Sequence, residues 1–221
     1  MTFCWCPEGQ YIMGSPKTED GRKPDEAQIL VKLSKGFWMA KTLVTQRQWA
    51  SIMGENPSKF IGDDLPVEMV NWNDAQEFVA KLNMQTTDFG RGNVALPTEA
   101  QWEYACRAGT ISPFSGEAID DFAWYWDNSE KKSHPVGTKC PNAWGLHDMH
   151  GNLVEWCSDW YSDRLTGGVD PAGPESDTQK VFRGGNWLNS ASVCRSASRQ
   201  KGDPALRHFL IGFRPAIISV H

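Results

Sequence analysis

Arg183-Gly184-Gly185-Asn186-Trp187, then Cys194-Arg195-Ser196-Ala197-Ser198-Arg199, then Ile211-Gly212-Phe213-Arg214 are three compact words that divide the C-terminal part of the chain. Two mixed runs separate them. Leu188, Ser190, Ser192 and Val193 in the first, and Gln200, Lys201, Gly202, Leu206, His208, Phe209 and Leu210 in the second, follow neither the strand period nor the helical one. Apolar, basic and hydroxyl side chains stand side by side. That composition suits a loop surface that contacts something, held at its ends by residues that pack or pair. Trp187, Cys194, Phe213 and the arginines are the expected anchors.

Working outward, the 221-residue chain is long enough to bury a substantial core, and one domain is expected. Its eleven tryptophans predict few regular elements and many aromatic plugs, because each ring brings a large apolar area and an N–H that wants a partner. A formal charge of −5 argues against a dedicated nucleic-acid binder, with Arg195, Arg199, Lys201 and Arg207 as the one opposing cluster. No apolar run is long enough to span a membrane. The N-terminus lacks the basic start and apolar core of a secretory signal, which leaves a processed export signal open. The six cysteines fall at no framework spacing, so reduced thiols are expected. Cys4-x-Cys6 and the pair His147 and His150 are each too isolated to make a metal site by themselves.

In chain order, Glu8 to Gly14 reads as a turn and a short strand, and Ile29 to Leu33 and Gly36 to Ala40 read as strands. Three helix starts share one device: Thr45-x-x-Gln48, Asn73-x-x-Gln76 and Thr98-x-x-Gln101 each place a cap residue three before a glutamine. The first helix should stop at Gly54 and the third near Arg107, with Gly109 ending it. Ala75, Phe78, Val79 and Leu82 give the second a core face. After residue 110 regular patterns fade into stretches rich in Gly, Pro, Ser and Asp.

Several enzyme signatures are absent, among them Gly-x-Ser-x-Gly, the phosphate loop and His-Glu-x-x-His. The segment from Asp148 to Glu155 is more suggestive. Two carboxylates flank a Gly-Asn turn, an arrangement that could offer calcium a shell of hard oxygens. Asp148 could equally cap a turn, and Glu155 could pair with an arginine.

Met13-Gly14-Ser15, Val44-Thr45, the run Pro66 to Ala75, Leu96-Pro97-Thr98-Glu99-Ala100-Gln101-Trp102-Glu103-Tyr104-Ala105, Gly145 to Trp156, Arg183 to Trp187 and Gly212-Phe213-Arg214 together resemble the formylglycine-generating enzyme (sulfatase-modifying factor) family. The matches run in order over nearly the whole chain. The resemblance implies an α+β fold, a variant of the C-type lectin fold with sparse secondary structure and long loops, over residues 1–221 as one domain. It also implies a calcium site at Asp148, Gly151, Leu153 and Glu155. The family's oxidases hold copper with two cysteines just after the Arg-Gly-Gly word. Asn189 stands at the first of those positions, the second falls where this chain is shortened, and only Cys194 remains nearby, so no copper is expected.

The C-terminal words are similar to those of variable proteins of diversity-generating retroelements, the treponemal kind in particular. In that branch the mixed positions are altered by adenine-directed mutagenesis and form a ligand-binding surface on an unchanging scaffold. The residues at 188, 190, 193, 206, 208, 209 and 210 can all be reached by changing the two adenines of an AAC codon; Gln200 and Lys201 cannot. The variable region is therefore expected at about 183–214, with Leu188, Ser190, Ser192, Val193, Ser198, Leu206, His208, Phe209 and Leu210 as ligand-binding residues. The expected protein is a non-enzymatic monomer that binds a protein or cell-surface ligand and no nucleic acid. It is placed at a bacterial cell surface as an exported protein or lipoprotein, or in the cytoplasm if it has no export signal. The alternatives are a formylglycine-generating oxidase or related enzyme, and an ordinary lectin-like domain with an idiosyncratic loop.

Overall fold

A computed structural model describes residues 1–85 and 92–219. Among them run, in chain order, β1 (Phe3–Cys6), β2 (Gly9–Met13), β3 (Ile29–Leu33), β4 (Phe37–Ala40), α1 (Gln46–Met53), α2 (Trp72–Gln85), β5 (Gly92–Ala95), α3 (Glu99–Arg107), β6 (Ala123–Trp124), β7 (His150–Gly151), β8 (Val154–Trp160), β9 (Gly168–Val169), β10 (Lys180–Arg183), β11 (Arg199–Gly202), β12 (Ile211–Gly212) and β13 (Ala216–Ser219). One sheet has the order β1-β4-β13-β5 and another the order β11-β10-β8-β12, with smaller sheets β2-β3-β9 and β6-β7. Long loops join them. The fold is the sparse α+β, C-type lectin-like architecture expected.

Two of the three helix starts form as read. In α1 and α3 the Thr45 and Thr98 hydroxyls accept from the backbone of Gln48 and Gln101, whose side chains in turn accept from the threonine N–H groups. The middle one is shifted. Helix α2 begins at Trp72, two residues earlier than the Asn73 reading, because Asn71 and Asp74 close the same reciprocal pair: Asp74 N–H donates to Asn71 Oδ1 at 2.9 Å and Asn71 N–H donates to Asp74 Oδ2 at 2.8 Å. Aspartate closes the box as well as glutamine does. Helix α1 stops at Gly54, whereas α3 turns at Ala108, a left-handed alanine with φ 44°, one residue before the expected Gly109.

The stretch after residue 110 holds more order than its composition suggests. Strands β8 and β10 form the middle of the second sheet, and all four residues of β10 are buried, including Lys180 and Arg183. A strand covered on both faces shows no alternation, so periodicity cannot find it. Lys180 survives there between the Trp72 and Trp160 rings, 4.1 and 3.7 Å from their centroids, and donates to the Ser158 carbonyl. The chain then passes through β12 into β13, which lies between β4 and β5 and is antiparallel to both. Arg214 stands at the joint between the two large sheets. Trp49, Phe78 and Phe213 pack ring against ring beneath it in one core cluster, and Trp102 lies in the other.

Candidate ligand-binding face

The arginines of the three words all point inward. Arg183 pairs with Glu103 and donates to the Ala197 carbonyl, Arg195 straddles Glu26 with two 2.8 Å bonds and caps the Gly21 carbonyl, and Arg199 forks onto Glu99 at 2.7 and 2.9 Å. Arg214 forks onto Glu155. Every one of these guanidinium side chains is buried. Burial alone would lower the pKa of Arg183, but Glu103 and Glu99 outweigh it and hold it above its usual range. Removing one member of such a pair strands a buried charge, so the network fixes where the words sit. Arg195 and Arg199 are thereby withdrawn from the basic cluster that spoke for nucleic acid.

Between the anchored words the mixed runs reach the surface. Ser190, Ser192 and Leu206 are exposed, and Leu188, Val193, His208, Phe209 and Leu210 are half-buried. Phe209 is less outward than its place in the list implied. Its ring meets those of Trp187 and Phe60 at 5.9 and 6.3 Å, stacks on His208 and carries the Lys59 ammonium 4.4 Å above it. Leu188 and Leu210 pack into the same cluster around Trp187, which is only 4 % exposed. Ser198 is a correction. It is 1 % exposed, locked between Ala197 and Arg199 with its carbonyl taken by Arg183, and cannot contact a ligand.

Scaffold residues that the sequence did not single out rim this face. Gly21 lies against Ser192, where a Cβ would come within 2.6 Å of the serine Cβ. The Trp126 N–H donates to the Asn189 carbonyl, its ring is half exposed, and Lys131 sits over it. Phe60 and Lys59 close another side, their backbone N–H groups held by the buried Glu68 carboxylate at 2.8 and 2.6 Å. No local pattern marks such residues, because their role depends on loops meeting from distant parts of the chain.

The segment from Asp148 to Glu155 is joined to the first word. Gly151 N–H donates to the Gly184 carbonyl and Trp187 N–H to the Asn152 carbonyl, while a Cβ on Gly151 would collide with the Trp124 carbonyl at 2.2 Å. Leu153 is fully buried. Asp148 accepts from Gly137 N–H, and burial pushes its carboxyl up. Glu155 has both oxygens bonded by Arg214, and Oε2 accepts from Trp102 Nε1 as well. The positive charge paired with Glu155 is thus Arg214, the partner left open for it by the sequence, while Asp148 has the Gly137 N–H as its partner and feels Arg214 only through its charge. Among the described residues no three His, Cys, Asp or Glu side chains cluster as metal ligands.

At the copper position, Asn189 uses its Oδ1 to accept the Asn186 N–H and turn the chain. Cys194 is buried against Gly185, and burial pushes its thiol up to about 12. His150 donates from Nδ1 to the Cys194 carbonyl and accepts the Ser115 N–H at Nε2, so both ring nitrogens are occupied; burial drives its pKa down to about 4. His147 bonds the Lys139 carbonyl instead, which separates the two histidines' roles.

The model of the sulfatase-modifying factor enzyme 1-like domain matches residues 2–218. The chain belongs to the sulfatase-modifying factor family. Within it, the chain is 31 % identical to the chaperone protein LppX of Paenibacillus barcinonensis, over 76 % of this chain and 75 % of that one. It is 34 % identical to the formylglycine-generating enzyme of Streptomyces coelicolor over 68 % of this chain, which spans about half of that enzyme's length (52 %). Among solved structures, Treponema denticola variable protein 1 superposes with a TM-score of 0.88 at 30 % identity, covering 97 % of this chain and 94 % of the other. PvdO from Pseudomonas aeruginosa also reaches 0.88, at 28 % identity and with 97 % and 93 % coverage. Enzymes and a variable protein thus share this scaffold. No helix among the described residues is long and apolar enough to cross a membrane.

Proposed function

We propose that this member of the sulfatase-modifying factor family is a ligand-binding protein without oxidase activity, whose surface at 188–193 and 206–210 is diversified by a retroelement while the intervening words stay constant. One observation carries the reading: Arg183, Arg195, Arg199 and Arg214 are buried and ion-paired, whereas eight of the nine positions named from sequence are exposed or half-buried. A frame fixed in this way tolerates change between its anchors. The likeness to Treponema denticola variable protein 1 supports the same reading. Display at a bacterial cell surface, for binding a protein or another surface ligand, follows from it.

The oxidase alternative draws on the formylglycine-generating relatives. It needs two soft thiolates side by side, and here the segment offers Asn189 and a single buried Cys194. The test is to sequence this locus in many independent isolates. Substitutions should concentrate at 188, 190, 192, 193, 206, 208, 209 and 210, spare Ser198 and all four arginines, and be matched by a near-copy of the region beside a reverse transcriptase. Substitutions spread evenly over the chain, or no near-copy, would return it to an ordinary lectin-like domain.

A further inference from the structure

Four side chains make ring or cation contacts with Phe209, and three of them belong to the constant scaffold. The Trp187 and Phe60 rings meet it at 5.9 and 6.3 Å, and the Lys59 ammonium stands 4.4 Å from its centroid, over the ring face. The fourth, His208, is itself one of the diversified positions. An ammonium placed so is held by the negative face of the ring. The aromatic walls also support each other without Phe209: Phe60 and Trp187 meet edge to face at 5.9 Å, in one cluster with the fully buried Leu43 and Leu153.

Nothing that fixes this socket passes through the side chain at 209. The buried Glu68 carboxylate accepts the Lys59 and Phe60 N–H groups, which sets one wall. Trp187 is set by its backbone, whose N–H donates to the Asn152 carbonyl and whose carbonyl accepts the Ser129 hydroxyl at 2.8 Å. The chain on either side of Phe209 is pinned in the same way, since Met69 N–H and Ile211 N–H donate to the His208 carbonyl and Val154 N–H to the Leu210 carbonyl. Exchange of Phe209 for a small residue therefore vacates a ring-sized space without releasing its walls. Because Phe209 is only half-buried, that space opens to solvent. Changes at the two adenines of an AAC codon reach serine, alanine and glycine as well as phenylalanine.

We propose that Trp187, Phe60 and Lys59 form a constant aromatic-ring subsite within the diversified face, plugged in this chain by its own Phe209 and open to an aromatic side chain of the partner when position 209 carries a small residue. Variation at 209 rests on the diversification reading; the socket does not. Phe209 shows the chemistry of the occupant, a flat ring with one face under an ammonium and its edges against two other rings. A saturated ring of the same size would fill the space and forgo the attraction to Lys59.

The probes are p-cresol, the side-chain analogue of tyrosine, and its saturated counterpart 4-methylcyclohexanol. Each is titrated into the full chain as wild type, Phe209→Ser and Phe209→Ala and followed by ligand-observed NMR, with the melting temperature as a second readout. Both variants are expected to bind p-cresol saturably and to melt higher in its presence, and wild type to bind it about tenfold more weakly or less. The variants should prefer p-cresol to 4-methylcyclohexanol by roughly three- to tenfold, and Lys59→Gln added to Phe209→Ser should bring the two probes level. No saturable binding to either trimmed variant, equal binding to wild type, or a p-cresol preference untouched by Lys59→Gln would each overturn the proposal. Probe binding is read on purified variants and diversification on independent isolates, so either can fail while the other stands.

Discussion

Arg214 and Glu155 are joined by two parallel hydrogen bonds, each 2.7 Å long, and neither side chain is exposed to solvent. The same guanidinium donates to the carbonyls of Ala40 and His147, so it ties β4, the 147–155 segment and β8 to the joint between β12 and β13. Arg214→Met should cost about 3–5 kcal/mol, since it leaves the Glu155 carboxylate buried with Trp102 as its remaining donor. The double variant Arg214→Met with Glu155→Leu should recover part of that loss. Urea unfolding midpoints of the single and double variants check it; equal losses would mean that the charges are not what the joint depends on.

If Arg214 is the cation that Glu155 requires, a chelator should leave the melting curve in place. A structural calcium ion at Asp148, Gly151, Leu153 and Glu155 would instead be lost to the chelator, and the melting temperature would fall by several degrees. Thermal melts with and without chelator separate the two.

Trp187→Ala should cost about 3–5 kcal/mol, because its ring is almost wholly buried at the centre of the face. Phe209→Ala should cost about 1–2 kcal/mol, as the ring is only partly buried and its contacts with Trp187 and Phe60 are lost. Ser190→Ala, Ser192→Ala and Leu206→Ala should each stay within about 0.5 kcal/mol. A Phe209 effect as large as that of Trp187 would make Phe209 core and remove it from the ligand face.

Asp159 gives a pH test. It accepts the Glu99 N–H at the start of α3, and burial, aided by the Glu99 charge, raises its carboxyl to about 7. A folded-state pKa above the unfolded value means a contribution that is fully present below about pH 4 and lost as the pH rises through about 7. The stability of wild type relative to Asp159→Asn should therefore fall over that window by on the order of 1–4 kcal/mol and then level off. A difference that grows with pH would show that Asp159 is held as the anion.

Purified protein loaded with Cu(I) should not convert the cysteine of a Cys-x-Pro-x-Arg peptide to formylglycine. The basis is Asn189, whose side chain holds a turn where a copper thiolate would be needed. Turnover that rises with added copper would reverse this reading.

Much of the fold and part of the site could be read from residues alone. The boxes at Thr45 and Thr98 and the stop at Gly54 were legible because each works through neighbours three or four residues apart. The family words were legible because buried arginines, glycines and tryptophans at fixed intervals have few substitutes. The division into anchored words and rule-free runs also located the exposed face, with Ser198 the exception. Only the tertiary structure decided which glutamate each arginine meets, with Glu103, Glu26, Glu99 and Glu155 lying from 59 to 169 residues away from their partners. It alone buried Ser198, packed Phe209 into the Trp187 cluster and joined Arg214 to Glu155. Local signals carry backbone conformation over a few residues. The pairing of buried charges and the exposure of a loop side chain depend on segments that adjoin only when β12 and β13 close the two sheets.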